Sequence, residues 1–160
     1  MSLWETPRIP HKGWVCTGMI DLREDDPDAE LETCEMCGKE GIRYVHMMEH
    51  PQYPQIVRAG RVCAENMESD YAAPGRRERE LLNRHNRKMT FLKHEWQQRQ
   101  NGNFVLKFKG EYLTIMPSRF NPNYYGVVYG GQSVWNYKGR KISDLKTAKL
   151  AAFDVFDELR

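Results

Sequence analysis

The spacing of apolar residues divides the chain into segments that predict different elements. Residues 76–100 contain no glycine or proline, and larger side chains recur there at intervals of three or four residues: Leu81, His85, Met89, Leu92 and Trp96. This interval places them on one side of an α-helix, and Asn101-Gly102 is a typical helix stop. The pattern therefore predicts an amphipathic helix over this segment.

Short β-rich segments separated by turn residues follow this helix. They are FVLKF (104–108), EYLTIM (111–116), YYGVVYG (124–130) and SVWNY (133–137), with a tight turn at Lys109-Gly110. Such segments predict an antiparallel sheet. A last helix is predicted from an N-cap at Ser143 to residue 159, with Asp144 in its first turn. The second half of the chain is thus predicted to have the order α-β-β-β-α.

The first half has weaker periodicity and more turn residues. Residues 1–15 contain three turn-forming residues, Pro7, Pro10 and Gly13, and predict an extended arm. Strands are predicted at 42–48 and 55–62, and a short helix at 63–71. Pro74-Gly75 is a turn-favouring pair, so we predict an α+β protein with modules at residues 1–75 and 76–160.

Composition narrows the class of protein. The 160 residues are 40% hydrophobic and 29% charged, which excludes a largely disordered or coiled-coil chain. The sequence has no apolar run of the roughly 18 residues that a membrane span needs, and no signal-peptide pattern at its start. These features predict a soluble, cytoplasmic protein with no membrane partner.

The total charge of +2 conceals two oppositely charged halves. Residues 1–75 contain 14 acidic and 7 basic residues, whereas residues 76–160 contain 8 acidic and 17 basic residues. A cationic surface attracts phosphates, because binding releases the counterions that surround nucleic acids. An ordinary solvated helix face is the alternative explanation for the basic residues of the first helix.

Four cysteines, Cys16, Cys34, Cys37 and Cys63, supply the clearest candidate chemistry. Disulfides are rare in the cytosol, so the close Cys34-x-x-Cys37 pair followed by Gly38 indicates a metal or redox site. The pair precedes a predicted hairpin, and Cys63 then lies at a predicted helix start. This order of knuckle, hairpin and ligand-bearing helix is that of a treble clef, and it predicts one structural Zn²⁺.

The fourth ligand is less clear from the sequence. Asn66 lies one helical turn after Cys63 but is a poor zinc ligand. A strand rises by about 3.3 Å per residue, so His46 is expected roughly 20 Å beyond the knuckle. Cys16, on an upstream arm, is free to reach back. We therefore predict a site of Cys16, Cys34, Cys37 and Cys63, with His46 as the alternative fourth ligand.

The stretch CEMCGKEGIRYVHMMEHPQYPQIVRAGRVCAENM resembles a family of small uncharacterised bacterial or phage-type zinc-knuckle proteins. The shared pattern is CxxCG, then IRYVHxMxHPxYP, then GxVCAxxM. The resemblance extends through Arg76–Arg79 and WQQRQNGN, and it implies a zinc module without implying an activity. Some members carry histidine at the position of Asn66.

The final helix, SDLKTAKLAAFDVF, resembles the terminal helix of double-stranded RNA-binding domains. Their Lys-Lys-x-Ala-Lys-x-x-Ala-Ala pattern is matched at Lys146, Ala148, Lys149, Ala151 and Ala152, whereas Leu145 replaces the first lysine. The resemblance implies that Lys146 and Lys149 contact phosphates. The long first hairpin of that family is missing here.

The remaining features favour binding over catalysis. Tyr124, Tyr125, Tyr129, Trp135 and Tyr137 either pack within the sheet or stack on unpaired bases. The sequence has no P-loop, GxSxG, HExxH or dinucleotide motif, and His46, Glu49, His50 and Asp70 suggest a metal-dependent nuclease only loosely.

We therefore predict a non-catalytic protein with a zinc-finger module that binds duplex or structured RNA or DNA through phosphate contacts of its basic C-terminal half. The predicted phosphate contacts are Arg84, Arg87, Lys146 and Lys149. The alternative is a protein–protein adaptor, an accessory or inhibitory subunit of a phage or mobile-element system.

Overall fold

The computed structural model describes residues 2–159, a mixed α+β chain that forms two compact units. The first unit extends to His85 and the second begins at Asn86. This division falls inside the second α-helix, ten residues after the boundary that the Pro74-Gly75 pair predicts. Each unit has its own hydrophobic core.

The first unit contains one antiparallel sheet in the order β1-β2-β3. Its elements are a 3₁₀ helix, three strands and one short helix: Leu3–Glu5, β1 (Val15–Asp21), β2 (Tyr44–His50), β3 (Tyr53–Ala59) and α1 (Arg61–Met67). The hairpin and the helix confirm the sequence prediction. Strand β1 was not predicted, because the sequence indicated only an extended arm that includes Val15 and carries Cys16.

Strand β1 pairs with β2 from Val15↔Glu49 to Asp21↔Tyr44, with a bulge between Cys16 and Gly18. Beneath the sheet, a cluster of buried residues connects the hairpin to helix α1 and the N-terminal segment. This core contains Ile9, Trp14, Cys34, Met36, Met48, Val57, Ala59, Cys63, Ala64 and Met67. The N-terminal arm is thus packed through Ile9 and Trp14.

Helix α2 spans Ala73–Leu92, so it begins earlier and ends earlier than the predicted 76–100 segment. Lys93 and His94 donate their backbone N–H groups three residues back, to Thr90 and Phe91, which tightens the last turn. Residues 97 and 98 form a short strand instead of helix. The predicted stripe also missed two positions, since Lys88 and Phe91 are fully buried.

The second unit contains a five-stranded antiparallel sheet, β4-β5-β6-β7-β8, and a separate two-stranded ribbon. The strands are β4 (Gln97–Gln98), β5 (Phe104–Phe108), β6 (Glu111–Pro117), β7 (Tyr125–Tyr129), β8 (Gln132–Val134), β9 (Asn136–Tyr137) and β10 (Arg140–Lys141). The predicted strands at 104–108, 111–116 and 124–130 are confirmed. The predicted strand at 133–137 is divided between β8 and β9.

Helix α3 (Leu145–Leu159) covers one face of this sheet and contacts mainly β7. Its N-cap is Asp144 and not Ser143, because the Asp144 carboxylate accepts a hydrogen bond from the Thr147 N–H at 2.7 Å. The core between helix and sheet includes Phe91, Leu113, Ile115, Val127 and Phe153. Across residues 2–159, none of the helices is long and apolar enough to cross a membrane.

Candidate metal centre

The Cys34–Gly38 segment forms a tight turn that directs two cysteine sulfurs to one side. The Cys34 carbonyl accepts from the Gly38 N–H at 2.8 Å, and the Cys34 N–H donates to the Lys39 carbonyl at 2.8 Å. Gly38 has φ +82°, a conformation that glycine adopts without steric cost. The turn is tied to the end of β3, because Glu35 and Arg58 exchange two hydrogen bonds.

Helix α1 places Cys63 beside Cys34 and Cys37. The ligand atoms of Cys34, Cys37 and Cys63 all lie within 4.8 Å of one another. A tetrahedral ion with metal–sulfur bonds of about 2.3 Å holds its sulfurs about 3.8 Å apart, so the three thiols fit such an ion after a small adjustment. All four cysteines among residues 2–159 are free, so the cluster is not a disulfide.

Two N–H groups point at the sulfurs. The backbone N–H of Gly60 donates to Cys34 Sγ, and Trp4 Nε1–H donates to Cys63 Sγ, both at 3.3 Å. Such donors stabilise negative charge on sulfur, as partners of metal ligands do. Trp4 is itself held against the turn, because its backbone N–H donates to the Met36 carbonyl.

The pKa values of Cys34 and Cys63 also fit a metal-binding site. A hydrogen bond from the Cys63 thiol lowers the pKa of Cys34 to about 5, although burial opposes the shift, and the Gly60 N–H contributes to it. The same hydrogen bond to Cys34, together with burial, raises the pKa of Cys63. The lowered pKa favours the thiolate form of Cys34, which is the form that binds a cation.

The cluster opens into a cavity of about 700 Å³ that is also lined by Lys39, Arg43, Arg61, Asn66 and Glu78. Asn66 is exposed and donates from its amide to the Val62 carbonyl at 2.9 Å. Three thiolates leave one position of a tetrahedral ion, and Asn66 is the residue that lines the cavity one helical turn after Cys63.

The structure does not place Cys16 in this cluster. Cys16 lies in β1 opposite Met48, and its thiol donates to the Gly18 carbonyl at 3.2 Å. The arm is therefore not free to reach the turn, because strand pairing fixes it along β2. The role of Cys16 as fourth ligand stays a prediction that metal analysis can decide.

His46, the alternative fourth ligand, also lies outside the cluster. Its ring is fully buried, with Nε2 at 2.8 Å from the Glu78 carboxylate and Nδ1 at 3.0 Å from the Arg77 guanidinium. Arg77 in turn forms a two-fold hydrogen-bonded ion pair with Glu68. Burial lowers the pKa of His46, but hydrogen bonds with Cys16 and Glu78 outweigh it and leave that pKa raised.

The four predicted phosphate contacts differ in their ion pairs and in their exposure. In helix α2, Arg84 forms an ion pair with Glu24 at 2.9 Å, and Arg87 one with Asp157 at 3.2 Å. In helix α3, Lys146 is exposed and Lys149 is half-buried. Arg87 and Lys146 are thus the exposed members of this set, whereas Arg84 and Lys149 are half-buried, and both arginines already have a carboxylate partner.

Several contacts in and near the three-cysteine cluster could not be predicted from the sequence. Trp4 and Gly60 lie 30 and 26 residues from Cys34, and neither occurs in a ligand motif. The two tryptophans of the N-terminal segment, Trp4 and Trp14, are the available indication that this arm packs. The pairing of His46 with Glu78 spans 32 residues and follows no periodicity.

Comparison with known proteins adds no family assignment, because no family model, curated protein or solved structure matches the chain.

Proposed function

We propose that the chain is a non-catalytic zinc protein that binds nucleic acid through phosphate contacts made by its second unit. The observation that carries this proposal is the charge of residues 97–153, which contain nine basic residues and two acidic ones. Eight of the nine cations are exposed: Arg99, Lys107, Lys109, Arg119, Lys138, Arg140, Lys141 and Lys146.

Both carboxylates of that segment have structural partners. Glu111 accepts from the Tyr129 hydroxyl at 2.5 Å, and Asp144 caps helix α3 through Thr147. They are therefore less available to neutralise the surrounding cations. A surface with this excess of positive charge favours phosphate, and phosphate contacts dominate affinity for nucleic acids.

The zinc ion has a structural role in this proposal. Cys34, Cys37 and Cys63 would hold it, and it would fasten the turn and helix α1 to the β2–β3 hairpin in a treble-clef-like module. The Gly60 and Trp4 donors support this assignment because they compensate thiolate charge. The bound ion supplies conformational constraint at this position and no chemical step is assigned to it.

The arrangement of the second unit supports comparison with a double-stranded RNA-binding domain only in part. Helix α3 packs on an antiparallel sheet and presents Lys146 in its first turn. The additional strands β4 and β8 and the short turn at Lys109-Gly110 differ from that pattern. We therefore assign phosphate contacts to Lys146 and Lys149 without assigning a preference for RNA.

The experiment that tests this function is binding at increasing salt. We expect affinity for a short duplex to fall steeply, with a log–log slope near −0.9 per phosphate neutralised. Replacing Lys146 and Lys149 with glutamate should weaken binding to all sequences and reduce the slope by about 2. Fluorescence anisotropy with labelled RNA and DNA measures both quantities.

The matched control is Arg8→Glu with Lys12→Glu, which makes the same charge change at exposed positions of the first unit. It should leave binding nearly unchanged. Neutralising Arg84 and Arg87 should have a smaller effect than changing the lysines, because both arginines already pair with carboxylates. If the wild-type protein binds no nucleic acid at low salt, the proposal is wrong and a protein partner becomes the better explanation.

A further inference from the structure

A second cavity, of about 730 Å³, lies in the second unit beside the loop between β6 and β7. Three aromatic residues and two cations line it: Phe120, Tyr124, Trp135, Arg119 and Lys141. In the part of the chain that the structure describes, none of its lining residues carries a carboxylate. The cavity therefore combines flat apolar faces with uncompensated positive charge.

The loop that presents Phe120 is braced by its own hydrogen bonds. The Ser118 hydroxyl accepts from the N–H groups of Phe120 and Asn121, and the Asn121 carboxamide accepts from the Asn123 N–H. The loop is closed where the Ser118 N–H donates to the Tyr124 carbonyl at 2.9 Å. Phe120 is 98% exposed at this position, so the loop holds an apolar ring in water.

Trp135 is seated against backbone on one side. A Cβ at Gly126 would lie 2.7 Å from three carbons of the indole, so the ring packs directly on this glycine of β7. Trp135 is still 37% exposed and lines the cavity, so it has surface available for a ligand. A ring fixed in this way loses little conformational entropy when another ring stacks on it.

The ammonium group of Lys141 is held near the same aromatic residues. Its Nζ lies 5.0 Å from the centre of the Tyr124 ring. The next residue, Ile142, is fully buried and connects two lining elements, because its carbonyl accepts from Tyr125 and its N–H donates to Trp135. The backbone beside Lys141 is thus tied to the strands that carry the aromatic residues.

We propose that this cavity binds single-stranded nucleic acid, with bases against Trp135 and Phe120 and phosphates against Arg119 and Lys141. This inference rests on the proposed nucleic-acid-binding function and specifies single strands as the form of nucleic acid that this cavity binds. Aromatic faces accept any unpaired base, whereas bases in a duplex are covered by their neighbours. The two cations supply the charge that the backbone of a strand requires.

Another aromatic–cation pair in the same unit provides a contrast. Lys107 Nζ lies 5.8 Å from the centre of the Tyr112 ring, beside a cavity of about 330 Å³ that also contains Glu95. That smaller site has one aromatic ring and a carboxylate that would repel a phosphate. Tyr112 is therefore a suitable control position, because it is also exposed.

The test is binding of labelled oligothymidylate and oligouridylate of about 15 nucleotides, a length within the range of site sizes for such surfaces. We expect Trp135→Leu to weaken binding by about 5- to 150-fold, since one stacked base contributes roughly that factor. Tyr112→Ala should change affinity less than about twofold. Circular dichroism spectra and melting curves of each variant verify that the unit remains folded.

Gly126→Ala tests the site without altering any lining charge or ring. The added methyl group displaces the indole, so affinity should fall while the salt slope stays unchanged. Lys141→Gln should instead reduce the slope on single strands by about 0.7. The DNA and RNA arms show whether the sugar contributes to recognition.

The outcomes separate this inference from the proposed function. If strands bind but Trp135→Leu and Gly126→Ala have no effect, while glutamates at Lys146 and Lys149 abolish binding, the cavity assignment is overturned and the function stands. If neither strand nor duplex binds at low salt, both are overturned. Binding to anionic phosphatidylserine vesicles in place of oligonucleotides, lost in Phe120→Ala, would identify a membrane surface and also overturn the inference.

Discussion

Replacing Cys63 with serine is expected to remove zinc from the protein and to unfold its first unit. Cys63 is buried, belongs to the core of that unit, and its sulfur lies within 4.8 Å of the Cys34 and Cys37 sulfurs. A hydroxyl is a poor zinc ligand, so the ion would keep only two thiolates. Because structural zinc contributes on the order of 10 kcal/mol to the folding of small modules, its loss is comparable to the whole stability of an ordinary domain.

The matched control is Cys16→Ser, which removes a thiol from the same unit at a position outside the cluster. We expect this variant to retain about one zinc per chain, since strand β1 holds Cys16 opposite Met48. Elemental analysis measures the zinc, and melting with and without a chelator measures its contribution to stability. Equal loss of zinc from both variants would instead support the four-cysteine site that the sequence predicts.

The cobalt-substituted protein provides an independent count of the thiolates. The intensity of the sulfur-to-cobalt charge-transfer band rises with each bound sulfur, so it should fall in Cys37→Ser and remain in Cys16→Ser. A protein that binds no zinc or cobalt in the wild-type form would show that the three thiols are only a packed cluster.

The parts of the fold that the sequence predicted are those whose signals are local. The Cys34–Gly38 turn follows from two cysteines and a glycine within five residues. The β2–β3 hairpin and helix α1 follow from short apolar segments between turn residues. The β5–β6 hairpin is determined by a tight turn at Lys109-Gly110 and by strands on either side of it.

Strand β1 has no comparable local pattern in the sequence. Its sequence, VCTGMID, has no regular alternation of apolar and polar residues. Its partner β2 begins 23 residues after β1 ends, across the acidic segment and the cysteine turn. Pairing over that distance is decided by tertiary contacts, and the free arm assumed for Cys16 was wrong for this reason.

Helix α2 ends before the helical spacing of its apolar residues does, because tertiary contacts take over. Trp96 continues the spacing of four residues, but the chain leaves the helix at Leu92, and Gln97–Gln98 pair with Phe104 and Val105. A strand pairing and the packing of Trp96 on the second core thus prevail over helix propensity. Lys88, a basic residue of this helix, is fully buried with Asp154 and Tyr137 as partners.

The second large effect is expected at Glu78, the partner of the buried His46. Removing Glu78 leaves the buried Nε2 of His46 without its hydrogen-bond partner, and an unsatisfied buried polar group costs about 1–3 kcal/mol. We therefore expect Glu78→Ala to lower the free energy of unfolding of the first unit by about this amount. Urea denaturation measures the change, and Glu80→Gln, an exposed position on the same helix, should alter stability by less than about 0.5 kcal/mol.

Glu78→Gln separates the charge of the pair from its hydrogen bond. The carboxamide oxygen of this variant can still accept from the Nε2–H of neutral His46, but it supplies no negative charge to the imidazolium. Burial opposes protonation of His46, as does Arg77, whereas Cys16 and Glu78 favour the protonated ring, and the resulting pKa is raised. A raised pKa contributes stability that is fully present below about 6.5, the value in the unfolded chain, and that is lost as pH rises through the folded value.

The difference in unfolding free energy between wild type and Glu78→Gln should therefore be largest near pH 6 and should shrink at alkaline pH. Both proteins carry the same four cysteines, so the pH dependence of metal binding cancels in this comparison. Denaturation curves across this range measure the difference directly. A difference that does not vary with pH would mean that His46 stays neutral and that Glu78 acts only as a hydrogen-bond acceptor. A difference that grows with pH would contradict the raised pKa itself, because the carboxylate would then stabilise the neutral ring more than the charged one.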